Sequence, residues 1–364
     1  MDTVRAAAPQ LAGLVPYDPK YLPAEALLSA NESPTDIPPA VREQVRAALA
    51  RLELNRYPDP LANGLRDAIA AANGLRREQV LVGNGGDELL FDLALAWGGP
   101  GRAFLNLPPT FSVYAANARL TGTRVVDVAR TDGYAIDEDA VLARVARGDI
   151  DFVVVTSPNN PTGACAPLGL IERLLQVTDA LVLVDEAYCE FAGTTALPLL
   201  EAHENLALLR TFSKAYALAG VRLGYVLAHE GVISELAKVR QPYSVDAVSQ
   251  VIGRVVLENR AAFQPAIDAI VAERGRVTAA LAAMDGVEPY PSDANWVLFR
   301  LEGMGGATAA ATAAAAWEYL YDQGVLVRDF SSAFMLEGCL RATIGTAEQN
   351  DALLAALGRF LESA

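Results

Sequence analysis

The sequence predicts an α/β fold, with a large domain built on a mostly parallel sheet between helices and a smaller C-terminal α+β domain. Three observations carry this expectation. First, short apolar runs alternate with helical stretches between Val80 and about Val226: Gln79–Val82, Ala103–Leu107, Phe152–Val155, Leu181–Val184 and Leu206–Leu209. Runs that are apolar almost throughout and bounded by Gly, Pro, Asn or Asp suit strands buried on both faces and covered by helices. Second, the last hundred residues change pattern. Long helical periodicity over 246–284 and 307–323 flanks short strands near Trp296–Leu301 and Leu340–Ile344. Third, 364 residues with 52% hydrophobic content supply enough apolar material for two domains, or for one large domain with a satellite.

The elements follow in order. Residues 1–30 are rich in Pro, lack steady periodicity and read as an arm over the body. A helix runs from Pro39 to about Leu54, with Val41, Val45, Ala48, Leu49 and Leu52 on one side. The large domain then occupies 31–250 and the small one 251–364. Within the small domain, the Ala-rich stretch Ala307–Ala316 is a helix start, because Trp317, Leu320 and Tyr321 continue an apolar face. Thr346-Ala347-Glu348-Gln349 has the spacing of a capping box, and Leu353, Leu354, Leu357, Phe360 and Leu361 form a stripe behind it.

Composition excludes several classes. With 44 acidic against 29 basic residues and a net charge of −15, nucleic acid and membrane surfaces are poor partners. Cys165, Cys189 and Cys339 make neither a disulfide framework nor metal-ligand spacing, and His203 and His229 are too few for a His-based metal site. No metal is expected. The N-terminus carries Asp2 and Arg5 and is broken by Pro9 and Pro16, so it does not read as a signal peptide. No apolar run reaches the ~18 residues of a membrane span. A reducing cytoplasm is the expected compartment.

The chain has only three lysines, Lys20, Lys214 and Lys238. Lys20 lies in the arm, and Lys238 lies among charged residues on a solvated helix. Lys214 differs, because its stretch Arg210–Tyr225 is otherwise small and apolar. A buried lysine has a depressed pKa and becomes a nucleophile toward an aldehyde. The hydroxyls of Thr211 and Ser213 and the guanidinium of Arg222 suit a phosphate. Upstream, Val82-Gly83-Asn84-Gly85-Gly86-Asp87-Glu88 runs from an apolar strand through a Gly-rich turn into a helix, where N–H groups favour an anion. Leu181-Val182-Leu183-Val184-Asp185 ends an apolar strand on a carboxylate, at the strand end where open α/β sheets bind ligands.

Together with Pro108–Tyr114 and Thr156-Ser157-Pro158-Asn159-Asn160-Pro161-Thr162-Gly163, these segments resemble, in order, the motifs of the class I/II aminotransferases, the fold-type-I pyridoxal-phosphate enzymes. The resemblance spans roughly residues 15–360. It implies that Lys214 holds pyridoxal 5'-phosphate as a Schiff base and moves the substrate proton. It implies that Asp185 pairs with the ring nitrogen, that Asn160 and Tyr188 contact the ring hydroxyl and that Phe111 stacks on the ring, where the family more often has Tyr. The phosphate falls to the backbone at Gly86, Asp87 and Glu88 and to the side chains of Thr211, Ser213 and Arg222. Tyr57 matches a residue that reaches the cofactor of a neighbouring subunit, which implies a homodimer with shared sites.

Finer segments resemble the histidinol-phosphate aminotransferases: Ser29-Ala30-Asn31-Glu32-Ser33-Pro34, Pro291–Asn295, Val325–Asp329 and Glu337–Thr346. This resemblance implies that Arg328 and Arg341 hold substrate anions, that Asn31 belongs to the substrate site, and that Tyr17 or Tyr21 covers the substrate phosphate. The expected reaction is histidinol phosphate and 2-oxoglutarate to imidazole acetol phosphate and glutamate. Aromatic amino acid aminotransferases and threonine-phosphate decarboxylases share the scaffold and remain open. A binding protein on an inactive aminotransferase fold is opposed by the intact set Lys214, Asp185, Asn160 and Arg222.

Overall fold

The computed structural model describes residues 8–11, 14, 16, 20 and 22–363. Tyr17 and Tyr21 lie outside the described residues. The chain enters through a short strand, β1 (Ala26–Leu28), and two helices, α1 (Pro39–Leu49) and α2 (Asn63–Asn73). Strand and helix then alternate: β2 (Val80–Gly83), α3 (Gly86–Trp97), β3 (Ala103–Asn106), α4 (Val113–Leu120), β4 (Arg124–Asp127), α5 (Glu138–Val145), β5 (Phe152–Thr156), α6 (Leu168–Val177), β6 (Leu181–Asp185), α7 (Cys189–Ala192) and β7 (Leu206–Thr211). Next come β8 (Gly224–Ala228), α8 (Glu230–Val239), α9 (Ala247–Glu258) and α10 (Gln264–Ala282). The chain closes with β9 (Val287–Pro289), β10 (Trp296–Leu301), α11 (Ala309–Asp322), β11 (Val325–Asp329), β12 (Cys339–Thr343) and α12 (Ala347–Ser363).

The larger sheet has the order β2-β8-β7-β6-β5-β3-β4. All neighbours pair in parallel except β8, which runs against both β2 and β7. Its strands feed two separate cores, as apolar residues on both faces require. Val153, Val155, Val182, Val184, Leu206 and Leu208 pack on one side, and Phe152, Val154, Leu181, Leu183, Ala207 and Leu209 on the other.

The smaller sheet has the order β1-β11-β12-β10-β9. It is antiparallel apart from the β1–β11 pair. The segment expected as an arm therefore supplies a strand: Ala26 and Leu28 point inward and Leu27 outward. Two helix expectations shift at their ends. The first helix stops at Leu49. The single periodic stretch over 246–284 divides into α9 and α10 across a 3-10 turn, Arg260–Phe263. Pro265 stands in the first turn of α10, where its missing N–H costs nothing, but it could not continue α9. The capping box forms: Gln349 N–H donates to Thr346 Oγ1 at 3.3 Å and Thr346 N–H to Gln349 Oε1 at 3.1 Å.

Trp296 on β10 ties the two sheets together. It is fully buried, and its indole N–H donates to the Pro161 carbonyl, just past β5, at 2.8 Å. The Tyr188 ring meets it edge-on at 4.5 Å. Trp296→Ala is expected to cost about 3–5 kcal/mol, through lost burial plus an orphaned carbonyl. Denaturant unfolding should show a lower midpoint with an unchanged slope.

Candidate active site

The three central strands of the larger sheet end on polar residues at one edge: Thr156 on β5, Asp185 on β6 and Thr211 on β7. The apolar bodies of these strands hold those ends in place at the carboxyl edge of the sheet. A cavity of about 980 Å3 opens there, and its wall includes residues from both sheets.

Asp185 sits at the cavity floor, 5% exposed. Its Oδ1 accepts the Ala187 N–H at 3.0 Å and its Oδ2 accepts the Tyr114 hydroxyl at 2.6 Å. Burial pushes its pKa up to about 6, against the pull of the Tyr114 and Ala187 hydrogen bonds. Lys214 lies at the wall and donates to the Ala30 carbonyl at 2.9 Å. Burial, with Arg341 and Arg222 nearby, lowers its pKa to about 8. Its ammonium lies 5.8 Å from the centre of the Tyr188 ring.

A second group of residues lies at the start of α3. The helix opens at Gly86 after Gly85, whose φ is +83°. A Cβ on Gly85 would come within 2.7 Å of Arg222 Nη2, so glycine is what lets the guanidinium close over this turn. Arg222 bonds Asp87 at 3.0 Å. Thr211 Oγ1 and Ser213 line the same corner, with the Ser213 N–H donating to Thr211 Oγ1 at 3.1 Å. Phe111 forms the opposite wall and meets Tyr114 edge-on at 5.5 Å.

The smaller sheet contributes the rest. Arg328 on β11 and Arg341 on β12 stand directly opposite each other in the ladder, and both line the cavity. Arg341 bonds Asn160 Oδ1 through Nη1 and the Ser29 carbonyl through Nη2. Its guanidinium carbon lies 5.5 Å from the ring centres of Trp296 and Phe330.

These residues fit pyridoxal 5'-phosphate. An amine with a lowered pKa, a buried carboxylate, an aromatic wall and a helix start whose Gly85 leaves room for a guanidinium are a donor set for an aldehyde, a ring nitrogen, a ring face and a phosphate. Among the described residues, no cluster of His, Cys, Asp and Glu could hold a metal.

The family model described as aminotransferase class I and II matches residues 25–357. This chain belongs to that aminotransferase family. Over 350 residues it is 40% identical to histidinol-phosphate aminotransferase 1 of Carboxydothermus hydrogenoformans, spanning 96% of this chain and 97% of the relative. Its fold matches the histidinol-phosphate aminotransferase of Sinorhizobium meliloti, solved in complex with pyridoxal-5'-phosphate, with a TM-score of 0.89, 27% identity and full coverage of both chains. It is also similar to L-threonine-O-3-phosphate decarboxylase from Porphyromonas gingivalis, with a TM-score of 0.80 and 25% identity, covering 93% of this chain and 99% of that one.

Of the aminotransferase residues expected from the sequence, Gly86, Asp87, Phe111, Asn160, Asp185, Tyr188, Thr211, Ser213, Lys214, Arg222, Arg328, Arg341 and Asn31 all line the one cavity. Two do not. Glu88 turns its side chain back to accept the Asn84 N–H. Tyr57 is 82% exposed and stacks on Tyr243 at 4.7 Å. Asn31 is only 1% exposed and its amide is engaged internally. Its Nδ2 donates to the Tyr188 hydroxyl at 3.1 Å and its Oδ1 accepts from Thr343 at 3.2 Å. Sequence reasoning missed Tyr114, which reads as an apolar helix position. Its contact with Asp185 bridges 71 residues of sequence, and no local spacing signals it.

Two outcomes test this geometry. The neutral fraction of Lys214 grows with pH, so capture of added pyridoxal 5'-phosphate by the cofactor-free protein should accelerate up to about pH 8 and then level, as followed by absorbance. An inflection near pH 10.5, the ordinary lysine value, would contradict a depressed amine. Asp185 has a raised pKa, so the stability lost through its ionisation builds up between about pH 4 and pH 6 and is complete above that. Asp185→Asn should therefore stabilise the cofactor-free protein at pH 8 by on the order of 1–3 kcal/mol in thermal unfolding, while turnover falls at least 100-fold.

Proposed function

We propose that this chain transfers the amino group of histidinol phosphate to 2-oxoglutarate, giving imidazole acetol phosphate and glutamate, with pyridoxal 5'-phosphate as cofactor. The observation that carries the substrate reading is the Arg328–Arg341 pair. Like charges facing each other across a ladder destabilise a sheet. Here they face each other at a cavity wall, where an anion lowers that repulsion. Bidentate guanidinium forks suit both the phosphate of one substrate and the carboxylate of the other. The 40% identity to a histidinol-phosphate aminotransferase over nearly the whole chain supports the same substrate.

When bound, pyridoxal phosphate supplies an aldehyde for amines and a ring that takes up the electron pair left by the departing α-proton. Asp185 would hold the ring nitrogen, Asn160 and Tyr188 the ring hydroxyl, Phe111 the ring face. The phosphate would go to the N–H groups at Gly86 and Asp87, with Thr211, Ser213 and Arg222. Lys214 is the one lysine on the cavity wall, and its lowered pKa gives a base of suitable strength at neutral pH for moving the proton at the substrate α-carbon. The wall around it, built from Tyr188, Phe111, Leu90 and Phe330, limits water at that atom.

The remaining parts of the reading concern setting. A homodimer is proposed, in which Tyr57 serves the partner's phosphate. Its support is that Tyr57 is exposed, braced by Tyr243 and not on the wall of its own cavity. The proposed domains are a large one at 31–250 and a small one at 251–364, with residues 1–30 as an arm whose strand β1 docks on the small sheet. A cytoplasmic location suits three free cysteines, and among the described residues no helix is long and apolar enough to cross a membrane.

Steady-state competition among histidinol phosphate, phenylalanine and threonine phosphate, with 2-oxoglutarate as acceptor, tests the substrate. Histidinol phosphate should give the highest kcat/KM. A tenfold preference for phenylalanine, about 1.4 kcal/mol, or carbon dioxide release from threonine phosphate would overturn the assignment. Arg328→Gln should lower kcat/KM for histidinol phosphate about 10- to 100-fold, the range of a charge-assisted hydrogen bond.

A further inference from the structure

Tyr114 stands in the first turn of α4, 4% exposed, between Asp185 and Thr156. Its hydroxyl donates to Asp185 Oδ2 at 2.6 Å and accepts from Thr156 Oγ1 at 2.9 Å. The direction of this chain of hydroxyls follows from its two ends. Asn159 is fully buried, and its Nδ2 donates to the Pro109 carbonyl at 3.0 Å and to Thr162 Oγ1 at 2.8 Å. Its Oδ1 therefore faces Thr110 and takes that hydroxyl's proton at 2.7 Å. Thr110 Oγ1, 3.2 Å from Thr156 Oγ1, has no second proton to offer. Thr110 can thus only accept from Thr156, and the shorter 2.9 Å contact directs the Thr156 proton to Tyr114; the Asp185 carboxylate can only accept, so the single proton of Tyr114 goes to it.

We propose that Tyr114 is a positioning residue for the transamination reaction: its hydroxyl, oriented by Thr156, fixes the Asp185 carboxylate and keeps its charge available to the cofactor's ring nitrogen. The inference rests on the reading of Asp185 as the ring-nitrogen partner. With Oδ2 held by Tyr114 and Oδ1 by the Ala187 N–H, the plane of the carboxylate is set by two donors from different elements. The other groups facing Asp185 push the opposite way. Asp87 from the start of α3 and Glu186 beside it both raise its pKa, burial raises it further, and the Tyr188 phenol is close by. Tyr114 is thus one of two hydrogen-bond donors that resist protonation of a carboxyl already near pH 6. Without it, the carboxyl titrates at higher pH, inside the working range of the enzyme.

The test uses full-length Tyr114→Phe and measures the dissociation constant of pyridoxal 5'-phosphate from about pH 5.5 to 9, with kcat and KM alongside. Wild type should bind the cofactor with an acid limb near pH 6. Tyr114→Phe should move that limb up by about one unit, weaken the cofactor roughly threefold near pH 6.5 and roughly eightfold at pH 5.5, match wild type at pH 9, and lower kcat more than KM. Thr156→Val should move the limb the same way by less, and Thr156→Ser should return it. A loss of affinity equal at every pH would mean that Tyr114 only fills space, and an unmoved limb would mean that it does not act on Asp185; either overturns the proposal. Should Tyr114→Phe fail to fold, an unmoved limb in Thr156→Val overturns it. Asp185→Asn separates the two claims: if that variant keeps cofactor affinity and turnover, the ring-nitrogen reading itself fails, whatever Tyr114 does.

Discussion

A carboxylate stripped of water at the end of β6 is the constraint around which the site is arranged. Asp185 is held between parallel strands that are buried on both faces, so little solvent reaches it. Desolvating a charge in such a place costs several kcal/mol unless a partner sits opposite. Two donors, Tyr114 and the Ala187 N–H, offset part of that cost. The proposed pairing with a protonated ring nitrogen would offset the rest. The same strand shows the contrasting solution one residue later. Glu186 is equally buried but is bonded by Arg210 at 2.9 Å, by Thr195 and by the Ala196 N–H, so its charge is satisfied within the protein. Adjacent carboxylates thus differ: Glu186 is paired with a cation inside the protein, while Asp185 has only two neutral donors and faces the cavity.

The second requirement is that two sheets meet at one cavity. The larger sheet supplies the groups for a cofactor, and the smaller supplies the paired arginines. Their relative position is held by buried, specific contacts. Trp296 bonds Pro161, Asn295 bonds the Asn31 carbonyl at 3.1 Å, and Asn31 in turn bonds Tyr188. Asn31 takes a left-handed conformation, φ +54°, which an Asn tolerates better than most side chains and which the surrounding bonds hold in place.

Much of this was legible in the sequence, for physical reasons that differ by element. Strands such as Phe152–Thr156 and Leu181–Asp185 are central and buried on both faces, so an unbroken apolar run marks them. The edge strand Arg124–Asp127 is only half-buried, with polar ends, and leaves no such run. The strand Ala26–Leu28 is too short for periodicity to register. Among candidate site residues, local motifs marked several that the structure brings to one cavity: Lys214 after its hydroxyls, Asn160 before its Pro, Asp185 at its strand end. What could not be read is contact across the chain. The Tyr114 hydroxyl bond to Asp185, the facing of Arg328 and Arg341, and the internal engagement of Asn31 depend on how distant segments register. Asn31 shows the difference most clearly, since a motif marks the residue while only the structure shows that its amide, at the cavity wall, bonds Tyr188 and Thr343.

The bond from Arg341 to Asn160 has a consequence for how such a site can change. Arg341 is the residue proposed for the substrate's anion and Asn160 the one proposed for the cofactor ring, yet each is the other's hydrogen-bond partner. By linkage, whatever an incoming anion does to that bond, the ring's environment feels by the same free energy. Substitutions that retune substrate choice at Arg341 would therefore reach the cofactor's chemistry as well. Evolution or design could not treat specificity and reactivity here as separate dials.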